Sequence, residues 1–341
     1  MSWKINDRGG RRAVLIRGLV LAAPVLLQMA GVAGAEPVVT KTTWREIDAY
    51  KLTDGRAEAV VVPKLGGRVM VFRLAGGANF IWSGEPGTET RPVTQTWGGE
   101  KTYIGPHTMW KFTQPRMWPP PAPDAAEHMA ELLEGGRLRT VSPPWESCGG
   151  ARITREYGFD AKGDFVMTHT IGKVAGSQQL GAVWVIAQTV PSDFVFVPLA
   201  PESPYKDNFF WFDFGGLKDR KGALVLSPSL LRLRPVAGEG FKLGASPRQP
   251  ALATVKDGLA FVQRADAQDG PYPEGADGAG LSVEVYHHHL PGPGEYTELE
   301  FLSPLRRLDE GATLTTRWTL REWPADPPHG EAKAAEKLLA P

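Results

Sequence analysis

The sequence is nearly free of cysteine: Cys148 stands alone. No intrachain disulfide is available, so the fold has to be held together by burial rather than by covalent bridges. The thiol sits in Glu146-Ser147-Cys148-Gly149, where nothing basic marks it as a nucleophile. An excess of one charge is missing too. The 38 basic residues balance 38 acidic ones for a formal net charge of zero, and no block of like charges stands out. That balance argues against a nucleic acid or an anionic surface as partner. No period of about 20 to 50 residues repeats, which argues against propellers and solenoids. Helical signals are confined to two short segments, 125–134 after a proline run and the Ala-, Glu- and Lys-rich 330–339, too few to build a helical layer.

Long hydrophobic runs are also scarce. The main one, residues 14–35, follows Lys4, Arg8, Arg11 and Arg12 and closes on Ala33-Gly34-Ala35 before Glu36-Pro37. A basic start, an apolar stretch and a small-residue exit are the parts of a cleavable secretory signal, so residues 1–35 are expected to be removed after Ala35. The rival is a membrane anchor of ~20 residues. Gly18, Pro24, Gln28 and Gly31 interrupt the run, and the exit favours cleavage with no stable membrane insertion afterwards. Arg11-Arg12 resembles a twin-arginine signal but lacks Ser or Thr before the pair and Phe after it. The expected location is the periplasm or the exterior. The expected organisation is a β domain over 36–325 and a polar, helix-prone tail over 326–341.

What the chain does have is strand signal. Segments 57–63, 68–74 and 165–171 are short, β-branched or aromatic, and bounded by Gly, Pro, Asp or Asn. The same holds for 182–189, 194–198, 222–226, 259–263, 281–288, 296–302 and 313–322. Many short strands separated by turn chemistry predict an all-β sandwich or barrel.

Chemistry concentrates in a few places. Residues 97–111, Trp-Gly-Gly-Glu-Lys-Thr-Tyr-Ile-Gly-Pro-His-Thr-Met-Trp-Lys, interleave aromatic rings with charge among permissive glycines. Sugar rings offer flat C–H faces to aromatics while their hydroxyls need fixed donors and acceptors, so such a loop suits a saccharide. The bland alternative is a loop anchored by its aromatics. In Tyr296-Thr297-Glu298-Leu299-Glu300-Phe301-Leu302, strand alternation buries Leu299 and Phe301 and puts Glu298 and Glu300 together on the other face, ~7 Å apart. In a desolvated cleft one of them would be a proton acceptor or a hydroxyl ligand; otherwise they form a solvated strand face. His287 and His289 alternate to one face and His288 joins Tyr286 on the other. No third metal ligand is fixed by spacing, so neither metal nor cofactor is expected. His169 is a further strand histidine.

Taken together, residues 57–70 with Gly66-Gly67-Arg68, then Gly77-Ala78-Asn79-Phe80-Ile81-Trp82, resemble the opening of galactose-mutarotase-like (aldose 1-epimerase superfamily) domains. Gly98-Gly99-Glu100-Lys101 through Ile104-Gly105-Pro106-His107 and Trp110 resembles an exported branch of that superfamily. Glu298-Leu299-Glu300, Leu302-Ser303-Pro304-Leu305 and Trp318 resemble its closing strands. The resemblance implies a large β supersandwich binding a saccharide on a concave sheet face. It implies Glu298 or Glu300 as base and His107 or His169 as acid in mutarotase-like proton transfer. It also implies Arg68, Asn79, Trp82, Trp97, Lys101, Tyr103, Trp110 and His288 as ring contacts. The superfamily pattern of an asparagine with two spaced histidines is absent. A carbohydrate-binding protein is therefore the first expectation. An aldose epimerase or a polysaccharide lyase or hydrolase is the alternative, and a non-catalytic structural or protein-binding module is the third.

Overall fold

Alternating apolar residues, β-branched runs and glycine-rich turns produce a chain whose regular secondary structure is mostly antiparallel strand. The computed structural model describes residues 36–90, 97–106, 122–213, 222–236, 238–273, 280–288, 294–324, 326 and 330–340. Its strands, in chain order, are β1 (Val38–Trp44), β2 (Ile47–Thr53), β3 (Ala57–Val62), β4 (Arg68–Leu74), β5 (Glu100–Gly105), β6 (Met129–Leu133) and β7 (Arg137–Val141). There follow β8 (Ile153–Phe159), β9 (Phe165–Ile171), β10 (Leu180–Thr189), β11 (Phe194–Pro198), β12 (Phe210–Trp211), β13 (Ala223–Ser227) and β14 (Leu230–Leu233). The last are β15 (Phe241–Ala245), β16 (Ala251–Lys256), β17 (Leu259–Ala265), β18 (Val283–His287), β19 (Thr297–Leu302), β20 (Arg306–Arg307) and β21 (Ala312–Glu322), before the one α-helix among the described residues, α1 (Glu331–Leu339).

Two sheets result. The first runs β1-β2-β3-β4-β5-β10-β19-β18-β15-β12, with β20 attached to β10; the second runs β13-β14-β11-β16-β17-β21-β9-β8-β7-β6. Sheet-on-sheet packing buries one face of each. Phe72 from the first sheet meets Phe165, Phe261 and Trp318 from the second, with ring centroids 5.7, 5.3 and 5.3 Å away. Elsewhere Val183, Val185, Leu243, Val285, Leu299 and Phe301 share a fully buried cluster with Val195, Val197, Leu231 and Leu252. Each such side chain contributes roughly 1.5–3 kcal/mol by leaving water, which is how a chain without disulfides holds together. On the outer side of the second sheet, Ala335 and Leu339 of α1 pack against Phe196, Leu230, Ala253 and Val255.

Charge also crosses between the sheets. Arg155 of β8 forms a fully buried ion pair with Glu100 of β5 and donates to the Gly67 carbonyl at 2.8 Å. Tyr157 donates to that same carbonyl at 2.6 Å. Gly67 has φ +66°, and a Cβ there would stand 2.7 Å from Thr140 Oγ1 and 2.8 Å from His128 Nδ1. The Gly66-Gly67-Arg68 motif is thus a tight corner whose carbonyl is read by the opposite sheet.

Two expectations need correction. Segment 125–134 is not helical: β6 pairs with β7 through a hairpin in which Gly135 and Gly136 both have positive φ. Local Ala and Glu propensity yields to the turn and to pairing. Strands β1, β2, β7, β8, β12, β14–β16 and β20 were also not anticipated from pattern, and β5 (Glu100–Gly105) is a strand within the stretch 97–111 expected as a loop. Residues 1–35 lie outside the described residues. Among those described, no helix is long and apolar enough to cross a membrane.

Candidate functional site

Strands β5, β10, β19, β18 and β15 lie side by side, and their register brings alternate residues together on the face opposite Leu299 and Phe301. One cross-strand row contains Gln188, Glu298, Tyr286 and Lys242. The next contains Lys101, Ile186, Glu300, Glu284 and Gly244. Period-two alternation therefore gathers three carboxylates and two ammonium groups on a face that is almost closed to solvent: Lys101, Glu284 and Glu300 are at most 1 % exposed, Glu298 8 % and Lys242 9 %.

These charges are compensated locally, as burial requires. Lys242 Nζ lies 2.5 Å from Glu284 Oε2 and 3.2 Å from Glu300 Oε2, with the rings of Trp184 and Phe212 at 5.1 and 5.2 Å. Burial disfavours its charge, but the carboxylates of Glu284 and Glu300 outweigh that and hold its pKa well above the ordinary lysine range. Trp184 Nε1 donates to Glu300 Oε2 at 2.8 Å. Burial pushes the Glu300 carboxyl up to about 8, with Lys242 opposing and Glu284 and Glu298 reinforcing the shift. Gln188 Nε2 donates to Glu298 Oε1 at 2.9 Å, and Lys101 Nζ stands 3.5 Å from the same oxygen. Burial lowers the Lys101 pKa against the pull of Glu298.

Aromatic residues border the charges. Tyr296 lies between Trp82, with ring centroids 4.6 Å apart, and His288, stacked at 4.8 Å and 4°. The hydroxyl of Tyr286 is 3.2 Å from His288 Nδ1. Burial raises Tyr286 to about 12 and raises Tyr296 as well. Trp82 is aligned with β10 because its backbone N–H donates to the Gln188 carbonyl at 2.8 Å. On the other flank Arg68 donates to the Gly98 carbonyl at 2.5 Å and to Asp124 at 2.6 Å, with its guanidinium 5.3 Å from the Trp97 ring. Lys101 Nζ is 5.4 Å from the Tyr103 ring.

Among the described residues, Lys101 Nζ, Gln188 Oε1 and Glu300 Oε1 on this face are buried without a hydrogen bond. Burying such atoms without a hydrogen bond costs about 1–3 kcal/mol each, so an ammonium, an amide oxygen and a carboxyl oxygen left in this way mark a place where a polar ligand could be accommodated. Chemically, the face combines a carboxyl held at raised pKa, two carboxylates with ion partners, and two ammonium groups.

The structure therefore brings together Glu298, Glu300 and Lys101, with Tyr103, Trp82 and His288 at their borders and Arg68 with Trp97 alongside. Two residues expected in the site lie elsewhere. His169 faces the interior between the sheets, where Thr102 Oγ1 is 2.9 Å from Nδ1 and Thr316 Oγ1 3.2 Å from Nε2. Burial first, and the Arg155 charge second, push its pKa well below that of an ordinary histidine. Strand parity separates it from the glutamates: Thr102, its partner, points opposite to Lys101 and Tyr103. Asn79 is a loop staple: its Oδ1 accepts from the N–H groups of Phe72 and Ile81, and its Nδ2 donates to the carbonyls of Met70 and Ile81. His107, Trp110 and His289 lie outside the described residues. Glu284, Lys242, Trp184, Gln188 and Tyr286 were not anticipated. Their signal was the polar residue lodged between apolar neighbours, as in Val283-Glu284-Val285 and Phe241-Lys242-Leu243. Among the described residues no three His, Cys, Asp or Glu side chains gather as a metal-ligand set.

No protein-family model matches the sequence, and no curated protein matches it. Solved structures do match. A galactose mutarotase-like protein from Clostridium acetobutylicum superposes with a TM-score of 0.54 at 9 % identity, over 84 % of this chain and 99 % of that one. Another galactose mutarotase-like protein, from Lactobacillus casei, gives 0.54 at 10 % identity over 83 % and 100 %. Matches of that extent, at identities too low to carry function, establish architecture. The chain has the galactose mutarotase-like fold.

Proposed function

We propose that the face formed by β5, β10, β19, β18 and β15 binds a saccharide, and that Glu298 exchanges a proton with its anomeric hydroxyl. The observation that carries this reading is the set of buried atoms that make no hydrogen bond among the described residues, Lys101 Nζ, Gln188 Oε1 and Glu300 Oε1. A sugar supplies what they lack, since each hydroxyl both donates and accepts. The rings of Trp184, Trp82 and Tyr296 suit the apolar faces of a pyranose. Both contacts to Glu298 fall on Oε1, which leaves Oε2 for the incoming hydroxyl. Lys101 beside it would stabilise the developing oxyanion. We propose in addition that residues 1–35 are cleaved on export, so that the sugar is met in the periplasm or outside the cell. N-terminal sequencing of the protein recovered from its native host tests that part.

The site is tested by titrating intrinsic tryptophan fluorescence of residues 36–341 with a panel of monosaccharides and oligosaccharides. Saturable quenching that is lost in Lys101→Met supports the site. Anomer interconversion followed by polarimetry, present in the native protein and lost in Glu298→Gln, supports the proton exchange. Absence of any response across the panel would overturn both and favour a structural or protein-binding module.

A further inference from the structure

Glu300 is held asymmetrically. Among the described residues, its two hydrogen-bond donors, Trp184 Nε1 and Lys242 Nζ, are both directed at Oε2, while Oε1 is buried with no hydrogen-bond partner. Directly across the strand pair stands Glu284, whose Oε2 shares the same Lys242 ammonium. Among the described residues the charged or titratable groups facing Glu300 are Lys242 from β15, Glu284 and Tyr286 from β18, Lys101 from β5, Glu298 from its own strand and Tyr296 just before that strand. One ammonium between two buried carboxyls neutralises one of them. The second is stable there only with a proton, as in other sites where like charges crowd. Oε2 is the oxygen that accepts, so the proton belongs on Oε1.

We infer that Glu300 keeps its proton on Oε1 in the resting protein and delivers it to the sugar ring oxygen, so that a carboxyl pair does the work expected of a glutamate and a histidine. This rests on the saccharide reading given above. The step balances. Glu298 Oε2 takes the proton of the anomeric hydroxyl, the bond between the anomeric carbon and the ring oxygen breaks, and Glu300 Oε1–H protonates that ring oxygen. The products are an open-chain aldehyde, a neutral Glu298 and an ionised Glu300. Rotation of the aldehyde and reversal of each transfer closes the ring with the opposite anomer and restores both carboxyls. The raised pKa of Glu300, about 8, agrees with a proton retained at neutral pH. The position of His169 on the opposite face removes it as the donor.

The resting proton is tested without sugar. Infrared difference spectra of native protein minus Glu300→Gln are expected to show the carbonyl band of a neutral carboxylic acid about two pH units below its pKa and carboxylate bands about two units above it. In Lys242→Met the neutral band should persist to higher pH. Absence of the neutral band at the lower pH in the native protein would overturn the inference. Delivery is tested by magnetisation-exchange NMR of a bound sugar. Glu300→Gln should keep affinity within about threefold and slow anomer exchange at least about 100-fold, and the native rate should fall above its pKa. Exchange at the native rate in Glu300→Gln would also overturn it. A native protein that binds no sugar would sink the saccharide reading and the delivery step with it, whereas the infrared band still decides the resting protonation.

Discussion

Glu284 and Glu300 are direct cross-strand partners on β18 and β19, fully buried, and joined through the single ammonium of Lys242. Removing one member of a buried charged group leaves the rest uncompensated. Lys242→Met is expected to destabilise the fold by about 3–5 kcal/mol near neutral pH, and by less in acid, where the carboxyls are protonated. Urea denaturation at two pH values measures this.

Stability should also depend on Glu300 with a definite sign. Its folded pKa of about 8 lies above the ordinary value of 4.5, so between those values the unfolded chain has released a proton that the folded one retains. Unfolding free energy should therefore fall as pH rises from about 4.5 to about 8, by a total on the order of 3–5 kcal/mol. The difference between native protein and Glu300→Gln across that window isolates the effect, and a flat difference would contradict it.

His169 should act in the opposite direction. Its folded pKa is well below 6.5, so the unfolded chain takes up protons first as pH falls, and stability is lost progressively below about 6.5. In His169→Gln this acid-side loss should be reduced while sugar affinity is unchanged, because the ring lies between the sheets.

The Arg155–Glu100 pair predicts a non-additive cycle. Arg155→Met alone should cost about 3–5 kcal/mol by stranding the Glu100 carboxylate. Combined with Glu100→Leu it should recover much of that loss, since an apolar pair can replace a buried ion pair. Thermal or urea unfolding of the three variants measures the coupling.

Lys101 and Asn79 separate binding from architecture. Lys101→Met should weaken sugar affinity about 10- to 100-fold, the equivalent of one charge-assisted hydrogen bond. Asn79→Ala removes four loop hydrogen bonds and should lower stability by about 2 kcal/mol or more while leaving affinity close to native. Fluorescence titration beside urea denaturation distinguishes the two.

Much of this was legible in residue order because strand geometry has a period of two. The pattern Glu298-Leu299-Glu300-Phe301 places the two carboxylates on one face whatever the strand pairs with, and the structure has them there. The same arithmetic puts His288 beside Tyr286 and away from His287, as found. It failed at 125–134, where composition favoured a helix and two glycines made a hairpin instead. It was silent on Glu284 and Lys242, because a single polar residue within an apolar strand looks the same whether it ends in solvent or beside a charge.

The sequence by itself therefore determined the class of fold, the turns and the face on which each side chain emerges, because these follow from local backbone geometry and apolar alternation. Only the tertiary structure decided which strands are neighbours. That choice, β19 between β10 and β18 with β15 beyond, sets Glu300 against Trp184, Glu284 and Lys242 and sends His169 to the other side of a sheet. Charges brought together in this way, out of reach of water, acquire partners and pKa values that no residue specifies on its own.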